Sequence, residues 1–330
     1  MAYQPVKVKA DDDGQRLDRW LKKHYPHTGF AAAQKAIRKG EIRIDGKRAK
    51  ADSRLEKGNE LRLPPIFHER PKGGSVAQKK EKSHSLKKED IDFIRSLVVY
   101  QDKDVIVLNK PSGLATQGGT GIKRHVDALL DGLKQKEEDP RPKLVHRLDK
   151  DTSGLLVLGK TPDSTRYLME AFKGRDVKKI YLAVTMPAPR QAEGEIRAGL
   201  VKTEGGHERT IVDDESGKSA RTAFKVLDKA GKEAALVAFA PLTGRTHQIR
   251  VHAADVLETP ILGDFKYGFS KEALMDTPIE RTLHLHAHIL EVPKPKGGMW
   301  QFSAPLPSHM KKTNDFFGFS YDIEALDGLL

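Results

Sequence analysis

Apolar positions recur along this chain in two periods. Near the front, "GQRLDRWLKKHYP" sets Leu17, Trp20 and Leu21 at helical spacing, and "FAAAQKAIRKG" repeats apolar residues at helical intervals before Gly40. Glycine there is a stop signal, because it can take the left-handed conformation that closes a helix. The period then shortens to two. In "EIRIDGKRA", Ile42 and Ile44 flank Arg43 ahead of Asp45-Gly46, which predicts a tight hairpin, and "LEKGNELRLP" predicts a second short strand pair. These elements predict a small α+β module over residues 1–63. Over 64–90 no period is sustained, and proline, glycine, serine and lysine dominate, which predicts a flexible basic linker.

Beyond it, "VIVLNK", "GLLVLGK", "KKIYLAVTM", "SARTAFKVLDK", "EAALVAFAPL" and "LHLHAHILEV" are short β-prone runs, and "DSTRYLMEAF" and "THQIRVHAADVL" are helical stretches between them. Strands often follow one another directly. That order predicts an α+β domain over 91–310 with a large mixed, mainly antiparallel sheet rather than doubly wound βαβ units, leaving 311–330 as a C-terminal tail.

Charge divides the chain in the same place. Residues 1–63 hold 16 Lys and Arg against 9 Asp and Glu, residues 64–88 hold 7 against 2, and the remainder holds 35 of each, so the net +12 lies entirely in the front end. That distribution fits a polyanion-binding module attached to an electroneutral body, and equally a merely solvated surface. The chain has no cysteine, which excludes disulfides, thiolate metal sites and cysteine nucleophiles. With no run of eighteen apolar residues, and no apolar core in "MAYQPVKVKADDDGQ", a soluble cytoplasmic protein is expected.

Candidate chemistry concentrates in "HRLDKDTSGLLVLGKT", residues 146–161, which supports two incompatible readings. "GLLVLGKT" fits the phosphate-loop pattern, but such a loop wraps backbone N–H groups around phosphates, whereas Leu155, Leu156, Val157 and Leu158 read as a buried strand. "HRLDKD" would then be the loop entering that strand. Asp149, between Arg147 and Lys150, is a candidate nucleophile, since neighbouring cations favour the ionised carboxylate. An aspartate that only caps a turn or pairs with an arginine fits the same spacing.

Two resemblances add to this reading. Over residues 14–63, "QRLDRWL" and "IRKGEIRIDGKRAKADSRLEKGNELRL" resemble the alpha-L RNA-binding module first known from a small-subunit ribosomal protein, which implies structured RNA as ligand. Lys35, Arg38, Lys39, Arg43, Lys47 and Arg48, with Arg16, are then the candidate RNA contacts. From Val99 to Pro307, "LNKPSGLATQGG", "HRLDKDTSGLLVLGK", "KKIYLAV", "LTGRTHQIRVH", "ILGDFKYG" and "LHLHAHIL" resemble, in order, the motifs of the RluA-type pseudouridine synthases.

That resemblance implies the pseudouridine synthase fold and a role for each matching residue. Asp149 matches the family's nucleophile, Arg147 the arginine proposed to occupy the space of the flipped uridine, Tyr181 the tyrosine that stacks on the target base, and Arg250 the basic partner of the nucleophile. Tyr181 as strand packing and Arg250 as a surface cation are the alternatives read from the residues alone. The implied reaction breaks the ribose bond to uracil N1 and joins ribose to carbon 5. Asp149 would either attack pyrimidine carbon 6 or promote loss of the base from the anomeric carbon through a glycal or acyl intermediate. No cofactor is implied. The wording of the motifs implies 23S ribosomal RNA or its precursor as partner, with transfer RNA, or an inactive ribosome assembly factor, as alternatives, and a monomer without membrane contact. His284, His286 and His288 alternate along one strand face like metal ligands, but no nearby carboxylate completes a set, so structural hydrogen bonding is expected and no metal.

Overall fold

The computed structural model describes residues 5–68, 86–119, 121–203, 209–326 and 328–329. It divides into two compact units, residues 1–84 and 85–330.

In the first unit, helices α1 (Leu17–His24) and α2 (Phe30–Lys39) cover a four-stranded antiparallel sheet of β1 (Pro5–Lys7), β2 (Arg43–Ile44), β3 (Lys47–Arg48) and β4 (Glu60–Arg62), in the order β1-β4-β2-β3. Leu17, Trp20 and Leu21 from α1 and Ile37 from α2 enter one core with Ile42, Leu55 and Leu61. Gly40 closes α2 in the left-handed conformation, φ 73°. Asp45 (φ 48°) and Gly46 (φ 77°) make the hairpin turn, and the Asp45 carboxylate accepts from the Glu60 N–H at 2.7 Å, tying hairpin to β4. The expected second strand pair is not there. Residues 55–59 turn through Gly58 (φ 93°), and β4 pairs instead with β2 and with β1, whose distance in sequence hides it from any local pattern.

The ends of the expected linker belong to the two units. Pro65–Phe67 form a 3-10 turn that buries Phe67 in the first core, and Lys88 begins helix α3 (Lys88–Ser96) of the second unit. Residues 69–85 lie outside the described residues.

The second unit is built on a mixed sheet of eleven strands: β5 (Val98–Gln101), β6 (Val105–Lys110), β7 (Lys143–Leu144), β8 (Ser153–Gly159), β9 (Lys178–Thr185), β10 (Glu193–Lys202), β11 (Thr210–Val212), β12 (Lys218–Ala230), β13 (Ala234–Pro241), β14 (Leu285–Pro293) and β15 (Met299–Ser303). Its main order is β11-β10-β12-β13-β9-β14-β8-β6-β5, with β15 beside β14 and β7 beside β8; among the described strands, β8 and β14 alone run parallel. The helices are α3, α4 (Val126–Leu129), α5 (Pro162–Gly174), α6 (Gln248–Val251) and α7 (Ser308–Phe317).

Both faces of β8 are covered, which is why its sequence is an unbroken apolar run rather than an alternation. Leu156 and Leu158 pack with Ile94 of α3 and Val126 and Leu129 of α4, while Leu155 and Val157 pack with Leu168 of α5 and with Trp300 and Phe302 of β15. The expected C-terminal tail is a correction: residues 308–317 form α7, and Met310, Phe319 and Leu326 are buried in the second unit's cores. Its apolar residues sit at uneven spacing beside polar ones, so the period that would announce packing is weak.

Candidate active site

One rung of the sheet sets out the site. Lys110 on β6 faces Gly154 on β8, Gly154 faces Ala287 on β14, Ala287 faces Tyr181 on β9, and Tyr181 faces Phe239 on β13. The loop carrying Asp149 enters the sheet at β8, whose second residue is Gly154. Gly154 is required where the parallel pair begins: its φ is +109°, and a Cβ there would lie 2.2 Å from the Ala287 carbonyl oxygen.

Three carbonyls of the Asp149 loop are held by residues of "KPSGLAT". Thr116 Oγ1 donates to Leu148 O at 2.7 Å, Lys110 Nζ to Lys150 O at 3.0 Å, and Ser112 Oγ to Asp151 O at 2.7 Å. Lys110 also donates to the carbonyls of Pro111 (2.9 Å) and Leu114 (2.8 Å), so its three N–H bonds are all used. Burial lowers its pKa to about 7 against the raising influence of Asp151 and Asp149. At the loop's start, His146 Nε2 accepts from the Val157 N–H at 2.8 Å and its ring stacks on Phe172 at 4.2 Å. Burial lowers its pKa to about 3, which keeps that acceptor available.

The phosphate-loop spelling has no counterpart in this geometry. Leu155 to Leu158 are fully buried in β8, Thr161 caps α5 by accepting from the Ser164 N–H at 3.1 Å, and Pro162 is its first residue. Lys160 Nζ donates to the Asp102 carbonyl at 3.1 Å.

Opposite Asp149 stands the loop "GRTHQIR". Its Gln248 uses its whole amide: Oε1 accepts from Thr243 Oγ1 (2.7 Å) and the Arg245 N–H (3.0 Å), and Nε2 donates to Arg221 O (2.8 Å) and Thr222 Oγ1 (2.9 Å). This fixes α6, which presents Arg250. Arg250 is buried and bidentate on Asp264, Nε and Nη2 each donating at 2.7 Å, while its Nη1 lies 4.0 Å from Asp149 Oδ2. Arg250 thus spans two carboxylates: Asp264 is its hydrogen-bonded partner, and Asp149 its longer, ion-pair partner. His247 Nε2 lies 3.8 Å from the same Asp149 oxygen. Tyr267 lies beneath Arg250, its ring centroid 4.9 Å from the guanidinium carbon.

Between these loops opens a cavity of about 320 Å³, within the range of small-ligand sites. Tyr181, Phe172, Ile249 and Leu285 supply apolar wall, and Asp149, Arg147, His247 and Arg250 supply its polar edge. The Tyr181 hydroxyl is pushed well above the usual phenol range by burial and by Asp149, so it stays protonated. A second cavity of about 670 Å³ shares Arg147, Asp149, His247 and Arg250, and is edged by Lys150, Lys266 and Arg281. Arg147 is exposed where the two meet.

The structure thus brings together Asp149, Tyr181, Arg250 and Arg147. Lys110, Ser112, Thr116, His247, Asp264 and Tyr267 were not singled out from the sequence, although all lie within the quoted motifs. A motif tells which segments converge and not which side chain meets which. The three strand histidines are buried and paired within the protein: His284 with Thr282 O and Thr313, His286 with Ser153, and His288 with Ala304 O and Tyr321. No group of three or more His, Asp or Glu among the described residues is placed to hold a metal ion.

In the first unit, Lys35, Arg38, Lys39, Arg43, Lys47 and Arg48 are all exposed. Several are already engaged: Arg16 with Asp18 (2.8 Å), Lys39 with Glu41 (3.6 Å), Arg43 with Gly46 O (3.0 Å) and Arg48 with Arg38 O (2.5 Å). The side chains of Lys35, Arg38 and Lys47 point into solvent. No helix among the described residues is long and apolar enough to cross a membrane.

Known proteins are similar to this chain in sequence and fold. A family profile described as RNA pseudouridylate synthase matches residues 104–255, and one described as S4 domain matches residues 15–61. The chain is 37% identical over 299 residues to the ribosomal large subunit pseudouridine synthase C of Rickettsia bellii, covering 90% of this chain and 96% of that protein. It is 33% identical over 314 residues to the protein of the same name from Escherichia coli, covering 93% and 94%. Among solved structures, human RNA pseudouridylate synthase domain containing 4 matches with a TM-score of 0.60 at 27% identity, over 70% of this chain and 98% of that one. With a pseudouridine synthase fold behind an S4 domain, the chain belongs to the RNA pseudouridine synthase family and is an RNA-modifying isomerase.

Proposed function

We propose that this enzyme converts uridine to pseudouridine in 23S ribosomal RNA or its precursor, with Asp149 as nucleophile on a flipped-out base. The observation that carries the reading is the placement of Asp149: a carboxylate on a loop braced through three carbonyls, at the polar edge of a cavity whose apolar wall includes Tyr181. The ribosomal target is supported by relatives whose name specifies the large ribosomal subunit.

In the reaction the ribose C1′–N1 bond breaks, a C1′–C5 bond forms, the C5 proton leaves and a proton is gained at N1. Nothing is oxidised or reduced, so the chemistry asks for no redox cofactor or group donor. The base must leave its stack, at a cost of a few kcal/mol that RNA contacts elsewhere offset. Arg147, exposed and without a hydrogen-bond partner among the described residues, fills the place the uridine vacates. The protonated Tyr181 ring stacks on the base. Arg250, immobilised by Asp264, keeps a fixed positive charge beside Asp149. The Lys150, Lys266 and Arg281 edge of the wider cavity receives phosphates of the flanking strand, and Lys35, Arg38 and Lys47 of the S4 domain grip RNA. The enzyme acts as a monomer in the cytoplasm.

The test is to map pseudouridines in ribosomal and transfer RNA from cells with and without the gene, and to assay the purified enzyme on each RNA. Loss of specific 23S sites, restored by the enzyme, is expected. Loss confined to transfer RNA would overturn the assigned target.

A further inference from the structure

A second side chain of the α6 loop bears on the nucleophile, and its role rests on the assignment of Asp149 above. His247 sits in the left-handed region, φ 54° and ψ 21°, which residues with a Cβ seldom adopt and which is often retained for function. The turn delivers its ring between two groups. Nδ1 lies 2.7 Å from the Tyr267 hydroxyl, and Nε2 lies 3.8 Å from Asp149 Oδ2.

The two neighbours of the ring together select its tautomer. Tyr267 is buried, and its hydroxyl oxygen accepts from the Thr210 N–H at 3.1 Å. His247 Nδ1, at 2.7 Å, and the Thr210 side-chain hydroxyl both lie within reach of its own proton. A proton on Nδ1 would leave Nε2 with a bare lone pair facing the Asp149 carboxylate 3.8 Å away, which is unfavourable. Nδ1 therefore accepts, and Nε2 carries the hydrogen toward Asp149. Burial holds the imidazole below its ordinary pKa; Asp149 and Asp264 oppose this, and Arg250 and Lys266 reinforce it.

We infer that His247 is a positioning residue: Tyr267 locks its Nε2–H tautomer, and that N–H, with Arg250 Nη1, orients one oxygen of Asp149 so that the other faces the uridine. The chain of contacts runs from the Thr210 N–H through Tyr267 and His247 to the nucleophile. It explains why a histidine occupies a strained turn: no other side chain offers an acceptor to one neighbour and a donor to the next across a flat ring.

The test has a spectroscopic arm and a kinetic arm, both on the full chain. In histidine-¹⁵N-labelled protein at neutral pH, two-bond ¹H–¹⁵N correlation should show His247 with Nδ1 unprotonated and Nε2 protonated, and Tyr267→Phe should shift it toward a mixture. In single-turnover assays on 23S RNA, His247→Phe should lower the rate about 10-fold with half-saturating RNA unchanged, because the N–H that faces Asp149 Oδ2 across 3.8 Å is lost. His247→Gln, whose amide N–H falls near the lost Nε2, should recover most of that rate. Protonated Nδ1 in the wild type, a wild-type rate in His247→Phe, or equal losses in the Gln and Phe variants would each overturn the inference. Should His247→Phe fail to fold, the wild-type tautomer and the Tyr267→Phe rate decide. A wild type inactive on every RNA would sink the functional reading itself, and the tautomer measurement would tell the two failures apart.

Discussion

Asp264→Asn tests the electrostatics of the site, because Asp264 is the fixed end of the Arg250 contact. The side chains are 1% and 7% exposed, so neither charge is solvated once its partner is lost. At 2.7 Å and an effective dielectric near 20, the attraction exceeds about 4 kcal/mol. Removing one partner of a buried pair costs about 3–5 kcal/mol, because the remaining charge stays buried. Asparagine keeps one oxygen to accept from Arg250, which places the expected loss near the lower end, about 3 kcal/mol. For a unit of this size that is a melting temperature lower by about 6–12 °C. The variant also frees Arg250 to close the 4.0 Å gap to Asp149 Oδ2 and hold the nucleophile in an ion pair. The single-turnover rate should fall at least about tenfold, while RNA affinity, set by other cations, changes little. Thermal unfolding and single-turnover pseudouridine formation on one preparation provide the readouts. A melting temperature within about 2 °C of wild type would refute the claim that this pair anchors the site.

Gly154→Ala places a Cβ 2.2 Å from the Ala287 carbonyl at a φ of +109°, so it should part β8 from β14, cost about 3 kcal/mol or more and abolish activity; wild-type unfolding would show that the parallel pair tolerates it. Acid should unfold the protein early. Burial lowers the pKa of His146, His284 and His286 to about 3 and of His252 to about 4, from an ordinary 6.5. The unfolded chain therefore binds more protons below pH 6.5. The contribution of these groups is complete above that pH and declines as pH falls toward their folded values, by about 1.4 kcal/mol per unit for each fully titrating group. Melting temperature should drop steeply between about pH 6.5 and 5, and a flat profile there would contradict the neutral histidine pairings. Replacing Lys35, Arg38 and Lys47 together by alanine should flatten the salt dependence of RNA binding by a slope of about 2 while leaving the single-turnover rate at saturating RNA nearly intact; an unchanged slope would remove the S4 domain from the grip.

The fold was legible where local period and turn chemistry agree. The helix ending at Gly40, the Asp45-Gly46 hairpin and the buried run Leu155–Leu158 follow from spacing and from the conformations those residues permit. The partner of β4 was hidden because it comes from residues 5–7, and α7 was hidden because its packing follows no simple period. At the site, the motif containing Asp149 and the segments around it could be identified, yet Asp264, the closer of the two carboxylates on Arg250, was not. Charge type in a sequence says that an arginine seeks a carboxylate and is silent on which of two lies 2.7 Å away and which 4.0 Å. The bracing of the Asp149 loop by Lys110, Ser112 and Thr116 depends on a strand register that joins residues about forty positions apart.

The central claim is that the Asp149 carboxylate does the chemistry and not the binding. Asp149→Asn keeps the shape and hydrogen-bonding span of the side chain while removing the nucleophile, so it separates the two directly. The purified variant and the wild type would be mixed in excess with 23S RNA, and pseudouridine formed in a single turnover would be measured beside RNA affinity on the same samples. The account predicts affinity within a few-fold of wild type and no pseudouridine above background. Comparable turnover by the two proteins would contradict it, and Asp149 would then be a loop residue that only shapes the cavity edge.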